Sequence, residues 1–248
     1  LAYQVADLLP VAVEDTVLDF YPIEPIEGSA PPEARGLLIA ALKETVETNV
    51  AALTQAGLSI AGVDLSAFAM VRALAPSGVL AGTHAIVSVG ARTTHIVAVK
   101  DGVPRFVRII PSGGEAMIDA VEPLVENNRV SAEMAKNKLG VEGVSHPQLS
   151  ALSKAMFDAM QSLFASISNT IGYYQALDTS DPVETVILLG SESRVPGLPR
   201  AVSDNARLPV RLVSALESIA LGPTIDPAVL EPFTFDLAVP IGLAMGSD

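Results

Sequence analysis

The chain has 248 residues, half of them hydrophobic, only 4% aromatic, with no Trp and a formal net charge of −13. Such a length suits one large or two smaller domains, and Val, Leu, Ile and Ala with so little aromatic bulk suit an α/β core. The acidic balance argues against nucleic acid and against adhesion to an anionic membrane surface, which need clustered Lys and Arg, while the lack of cysteine removes disulfides, thiolate metal sites and cysteine nucleophiles.

No run approaches 18 uninterrupted apolar residues, so no membrane span is expected. The sequence starts at Leu1 with neither Met nor a signal-peptide pattern, and reads as a fragment or trimmed chain. Residues 1–9 suit the tail of a short amphipathic helix ended by Pro10. Residues 17–21 (VLDFY) alternate like a strand, and 22–32, with Pro22, Pro25, Pro31, Pro32 and Gly28, read as an irregular loop. The apolar run 36–42 is expected as a central strand. Residues 43–56 place Val46, Val50 and Leu53 at helical spacing before Gly57, and 58–65 suit another short strand. Residues 66–75 read as a helix with Ser66 as cap, closed by Pro76-Ser77-Gly78. A domain boundary is expected between 76 and 84.

The stretch at 85–99, AIVSVGARTTHIVAV, organises the rest of the chain. It predicts a strand, a Gly-Ala-Arg-Thr-Thr turn and a second strand, both arms apolar enough for a buried sheet. Backbone N–H groups converging on such a turn can hold a phosphate without a basic side chain. Lys100-Asp101-Gly102 marks a two-residue turn to a third strand at 105–110. A helix is expected over 115–127 and a shorter one over 131–139, ended by Gly140. Residues 148–174 carry Leu149, Leu152, Met156, Met160, Leu163, Ile167, Ile171 and Tyr174 in one stripe, about 40 Å of helix. It would pack on a sheet or another helix, a self-associating coiled coil being the alternative. A strand at 183–189 then leads to Gly190 and a small polar turn, about a hundred residues after the first. A helix at 198–206, a strand at 209–213, a helical turn at 215–221 and an apolar helical segment within 233–248 complete the reading. The ordered pair of strand-turn sites suggests a nucleotide clamped between sheet edges in a mixed-sheet α/β domain.

In that order the motifs resemble the actin-like superfamily, and within it the PilM family of type IV pilus assembly proteins and its cell-division relative FtsA. The residues carrying the likeness are AIVSVGARTTHIVAV at 85–99, RIIPSGGEAM at 108–117 and VILLGSESRVPGLPRAVSDNARLPVRLV at 186–213. YQVADLLPVAVEDTVLDFY at 3–21 and LLIAALKETVETNVAALTQAGLSIAGVDLSAFAMVRAL at 37–74 extend it to nearly the whole chain. The resemblance implies an α/β fold of actin-like (ribonuclease-H-like) two-domain architecture with a small inserted α+β domain, N-terminally incomplete. Residues 1–64 would be the inserted domain, 65–82 and 213–248 remnants of the first large domain, and 83–212 the second. The family's first phosphate loop would lie before the start of this sequence.

The resemblance also implies a nucleotide site, ATP with Mg, at Ser88, Gly90, Thr93 and Thr94 on the phosphate side and Gly190, Ser191 and Ser193 on the adenosine side. Two positions depart from the family pattern. Ser88 stands where an Asp would serve the metal-bound water network, and a hydroxyl cannot supply that charge to a hard cation. The Gly-Gly-Gly-Ser turn is replaced by Gly190-Ser191-Glu192-Ser193, which sets a carboxylate where backbone should approach base and ribose. The implied site is therefore weakened or lost.

Each candidate also has a plainer reading. Gly90, Thr93 and Thr94 suit a tight β-turn with Thr favoured by strand propensity, and Gly190, Ser191 and Ser193 a strand-to-helix junction with a serine cap. Arg92 could contact phosphate or be solvated. Asp158 and Gln161, where relatives place purine contacts, suit a solvated helix face. His84, His95 and His146 have no metal spacing, and no catalytic or metal residue can be singled out. The expected function is a cytoplasmic scaffold, peripheral at the inner membrane, that binds rather than turns over. In the family, the small domain and the first large domain form a groove for the cytoplasmic tail of PilN. Other pilus assembly components are further expected partners; nucleic acid and direct membrane insertion are not. A true actin-like ATPase is the rival, against which Ser88 argues. An FtsA-like division protein is another, and it would need a basic amphipathic C-terminal helix, whereas residues 233–248 contain no Lys or Arg.

Overall fold

The structure is a computed structural model that describes residues 9, 11–29, 33–142, 147–177 and 181–246, with the side chains of 147–150 left aside. The helix expected over residues 1–9, the expectations for Pro31 and Pro32, and the stripe position Leu149 fall outside the described residues or side chains. Contacts divide the chain into two compact units, residues 1–65 with 247–248, and residues 66–246.

The first unit is a β-hairpin and one helix. Strand β1 (Thr16–Ile26) pairs antiparallel with β2 (Glu33–Leu42), and helix α1 (Lys43–Gln55) comes next. The region read as a proline loop is therefore a strand as far as Ile26. Pro22 pairs with Gly36 and Pro25 with Ala34, around an irregularity between Pro22 and Glu24. A two-stranded sheet has only edges, and an edge tolerates residues that cannot donate to a ladder. For the same reason β2 is not the central strand its apolar run suggested. A Cβ on Gly36 would lie 2.6 Å from the Phe20 ring, so the glycine leaves room for the aromatic to lie across the hairpin. Residues 58–65, expected as a strand, pair with nothing in either sheet. None of the described residues in this unit is buried.

The second unit holds the core. Its sheet has five strands in the order β5-β4-β3-β6-β7. β3 (Thr83–Val89), β4 (Thr94–Lys100) and β5 (Val103–Ile110) run antiparallel as a meander, while β6 (Thr185–Leu189) and β7 (Val210–Leu212) join β3 in parallel. The β4–β5 turn is dictated by its sequence: Asp101 and Gly102 both have positive φ, 49° and 77°, as a tight right-twisted hairpin turn requires. The parallel pair β3–β6 is made possible by the long intervening crossover through helices α3 (Glu115–Val121), α4 (Arg129–Leu139) and α5 (Pro147–Leu177).

α5 runs 31 residues, and its stripe residues Met156, Met160, Leu163, Ile167, Ile171 and Tyr174 are buried in one cluster with Val87, Val89, Ile96 and Leu188 of the sheet. The stripe is thus used up inside the unit, which answers the coiled-coil alternative. Helix α3 stops earlier than expected. Pro123 lacks the N–H that would continue the ladder, so a 3-10 turn takes over at Glu122–Leu124, and Glu126 and Asn127 take positive φ. Asn128 then caps α4 by accepting from the Ser131 amide at 2.9 Å.

The other face of the sheet carries α2 (Ser66–Leu74), packed against α8 (Ala238–Ala244) near the chain's end. Contact between these helices is close because Gly242 has no side chain: a Cβ there would stand 1.8 Å from the Ala69 carbonyl oxygen. α6 (Leu198–Ala206) lies against α5, and α7 (Pro227–Leu230) precedes the segment that leads into α8. Among the described residues, no single helix is long and apolar enough to cross a membrane.

Candidate ligand cleft

Within the central strand β3, Ser88 alone escapes burial, and its cross-strand partner on β4 is the half-buried His95. These two open an otherwise closed sheet onto a cleft of about 360 Å³. The β3–β4 turn supplies Gly90, Ala91, Arg92 and Thr93, and the end of β6 supplies Gly190 and Ser191. Ser66 and Met70 of α2 and Phe235, Asp236, Ala238 and Val239 make the remaining wall. The two strand-turn sites singled out in the sequence are thus brought to one cavity, by the parallel pairing of Ser88 with Leu189.

Five of the seven candidate residues face this cleft: Ser88, Gly90, Thr93, Gly190 and Ser191. Thr94 and Ser193 are completely buried and do not line it. Thr94 donates its hydroxyl to the Ser112 carbonyl at 2.8 Å, which ties the turn to the loop before α3. Asp158 pairs with Lys154 on the exposed face of α5, and neither it nor Gln161 lines the cleft.

Much of the turn backbone is committed to the protein itself. The Gly90 amide donates to the Thr93 carbonyl at 3.0 Å, and the amides of Gly114 and Glu115 donate to the carbonyls of Gly90 and Ala91 at 3.0 and 2.7 Å. Gly113 must be glycine for that approach, since a Cβ would fall 2.1 Å from the Gly90 oxygen. The Gly190 amide donates to the Phe235 carbonyl at 3.0 Å. At Gly190, φ is +90°, and a Cβ would meet the Val89 oxygen at 2.4 Å. Its lack of a side chain is therefore demanded by the β3–β6 junction, whatever enters the cleft.

Charge in the cleft is sparse and mostly paired. Arg92 donates through Nε and Nη2 to the Glu115 carboxylate, which also accepts from Arg129; Arg129 in turn reaches Asp119 and Glu122. The hydrogen bond from Arg92 holds the Glu115 carboxyl below its ordinary pKa. Burial pushes Asp236 up, against the opposing pull of Arg194, and burial pushes His95 down. A bound polyphosphate would meet a guanidinium already shared with a carboxylate, a histidine favoured in its neutral form, and a second carboxylate. With a hydroxyl at Ser88 and its one guanidinium already shared, the described lining fits Mg-ATP poorly.

The residue pattern conceals one feature of the second turn. Glu192 does not project into the cleft as its position suggested; it turns inward to Lys136 of α4, whose Nζ lies 2.9 Å from Oε1 and 2.8 Å from Oε2. The signal was a lysine on the buried stripe of α4, at helical spacing with Ala132 and Leu139.

The model of the family described as type IV pilus assembly protein PilM matches residues 1–248. The chain belongs to the PilM family. Among solved structures it is similar to a PilM-PilN type IV pilus biogenesis complex, at 22% identity and a TM-score of 0.81, over 99% of this chain and 70% of that one. It is also similar to the ethanolamine utilization protein EutJ of Carboxydothermus hydrogenoformans, at 16% identity and a TM-score of 0.54, over 83% of this chain and 62% of that one. An ADP-bound MreB5 of Spiroplasma citri matches at 14% identity and a TM-score of 0.56, over 83% of this chain and 65% of that one. These likenesses place the PilM-family chain on the actin-like α/β fold.

Proposed function

We propose that this PilM-family chain serves type IV pilus assembly as a cytoplasmic scaffold, docking the cytoplasmic tail of a PilN-like inner-membrane protein. It works by binding rather than by turnover, and its nucleotide site is degenerate. Carrying the first part is the family match over the whole chain, supported by a fold shared with the PilM of a PilM-PilN complex over 99% of the chain. Supporting the second is Ser88, at the one opening of β3 onto the cleft, where a hydroxyl replaces the charge that a hard cation's water shell needs. A tail held in this way would keep an acidic protein at the inner membrane without lipid contact, since its charge of −13 is repelled by anionic headgroups.

The test is calorimetric titration of the complete protein with a peptide of the PilN-like tail and, separately, with Mg-ATP, alongside the Ser88→Asp variant. The expected result is saturable peptide binding, with weak or no Mg-ATP binding that Ser88→Asp improves. Absence of peptide binding overturns the scaffold reading. Tight Mg-ATP binding with hydrolysis by the natural protein overturns the degenerate site and restores an actin-like ATPase.

A further inference from the structure

The turn at the mouth of the cleft carries a guanidinium, yet the structure gives it an internal anion. Arg92 is 80% exposed, so little packing holds it in place. One edge of its guanidinium, Nε with Nη2, is nevertheless given over to both oxygens of Glu115. Glu115 is the first residue of α3, and its own amide donates to the Ala91 carbonyl at 2.7 Å, so the carboxylate is carried by the backbone that braces the turn. Behind it, Arg129 donates to the same carboxylate and to Asp119 and Glu122 at 3.0 and 3.3 Å. The cluster pairs two guanidinium groups with three carboxylates and leaves an excess negative charge beside the Gly90–Thr93 turn.

We propose that Glu115 is a specificity-determining residue for the cleft, acting as a built-in counter-ion that occupies Arg92 and keeps phosphate groups out. The inference rests on the reading of the cleft as a degenerate nucleotide site and says which residue, besides Ser88, makes it so. A phosphate arriving at the Gly90–Thr93 turn must compete with Glu115 for the fork of Arg92, which suits a carboxylate and a phosphate equally. It must also accept the repulsion of the carboxylate it displaces. Removing that charge while keeping the side chain's shape leaves the fork of Arg92, already at the cleft, open to a phosphate.

The experiment measures inorganic pyrophosphate binding by calorimetry for the complete natural protein, Glu115→Gln, Arg92→Gln and the double variant, at two salt concentrations. Glu115→Gln is expected to bind pyrophosphate roughly threefold to tenfold more tightly than the natural protein, with a steeper fall in affinity as salt rises. The double variant is expected to lose the whole gain, which a merely structural change at the turn would not do. No gain in Glu115→Gln, or a gain that survives the loss of Arg92, overturns the proposal. Mg-ATP binding by Ser88→Asp is the separating control. If that variant binds while Glu115→Gln gains nothing, the cleft reading stands and the counter-ion role falls. If neither binds its probe, both fall together.

Discussion

Lys136 and Glu192 face each other in the interior of the second unit, at 7% and 5% side-chain exposure, with the ammonium nitrogen within 2.9 Å of both carboxylate oxygens. The pair joins the last turn of α4 to the turn just after β6. A Cβ on Gly114 would lie 2.2 Å from the Glu192 carboxyl carbon, so the loop before α3 closes over the same group. One helix and two loops, the latter bordering or bracing the cleft, therefore meet at one ion pair. Such a pair gains little net energy over a well-packed apolar one, but breaking it strands a charge.

Lys136→Met and Glu192→Leu, taken singly, are each expected to destabilise the protein by about 3–5 kcal/mol. Replacing both with apolar residues should recover most of that loss. Urea unfolding of the two single variants and the double gives the coupling energy directly. Additive losses would mean that the two residues act independently and that the ion pair does not couple α4 to the turn after β6.

Gly190 gives a prediction that separates fold from function. Its φ of +90° and the 2.4 Å approach of its would-be Cβ to the Val89 oxygen demand glycine irrespective of any ligand. Gly190→Ala should cost about 2–5 kcal/mol, from backbone strain together with overpacking. The loss is expected to be the same with and without Mg-ATP. An alanine variant of natural stability that alters only ligand binding would show that the glycine serves the ligand after all.

The pH dependence of stability has two opposed contributions at the cleft. Burial lowers the His95 pKa from its ordinary 6.5, so between the folded and unfolded values the unfolded chain binds more protons. Stability from this residue is full above 6.5 and is lost as pH falls through that value toward the folded one. Asp236 behaves oppositely: its pKa is raised above 3.8 by burial, so stability is lost as pH rises from 3.8 through the folded value. Urea midpoints between pH 3.5 and 8 should therefore change slope when each residue is replaced. His95→Gln should flatten the rise just below pH 6.5, and Asp236→Asn should flatten the decline above pH 3.8. An unchanged profile in both variants would dismiss the assigned burial effects.

How legible each segment is in the residue pattern depends on how strongly its surroundings dictate it. β3, β4 and β6 are covered on both faces, so they need nearly continuous Val, Ile, Leu and Ala, and read as buried strands without ambiguity. The α5 stripe is equally plain because one face must meet a sheet over its whole length. The first unit reads poorly because burial does not enforce a pattern there: β1 keeps Pro22 and Pro25 on an edge, and residues 58–65 look like a strand with no strand to join. At the cleft, Gly90, Thr93, Gly190 and Ser191 are legible as turn residues at strand ends, while Ser88, inside β3, is singled out only by the resemblance. Phe235 and Asp236 reach the cleft, and Arg92 meets Glu115, from positions far apart in sequence, and local pattern carries no record of them; for Lys136–Glu192 it holds only the lysine on the buried stripe of α4 and does not name its partner.

That none of the described residues of the first unit is buried leads to a prediction about dynamics. Its hairpin pairs over ten positions, from Thr16 with Leu42 to Ile26 with Glu33, yet Val17, Ile26, Leu42, Leu53, Leu58 and Val63 are all exposed. Hydrogen bonds in a two-stranded sheet without an apolar core are only marginally stable in water. Amides of β1, β2 and α1 should therefore exchange through local opening, well before those of β3, β4 and β6, where exchange requires breaking the core. Hydrogen exchange monitored by mass spectrometry should show the two groups separated by at least roughly an order of magnitude in rate. Binding of a partner tail to this unit would then appear as slowed exchange confined to it, because a ligand protects what it orders. Equal protection in the two units without any partner would mean that the hairpin is held by contacts beyond its own pairing, and the expectation would fail.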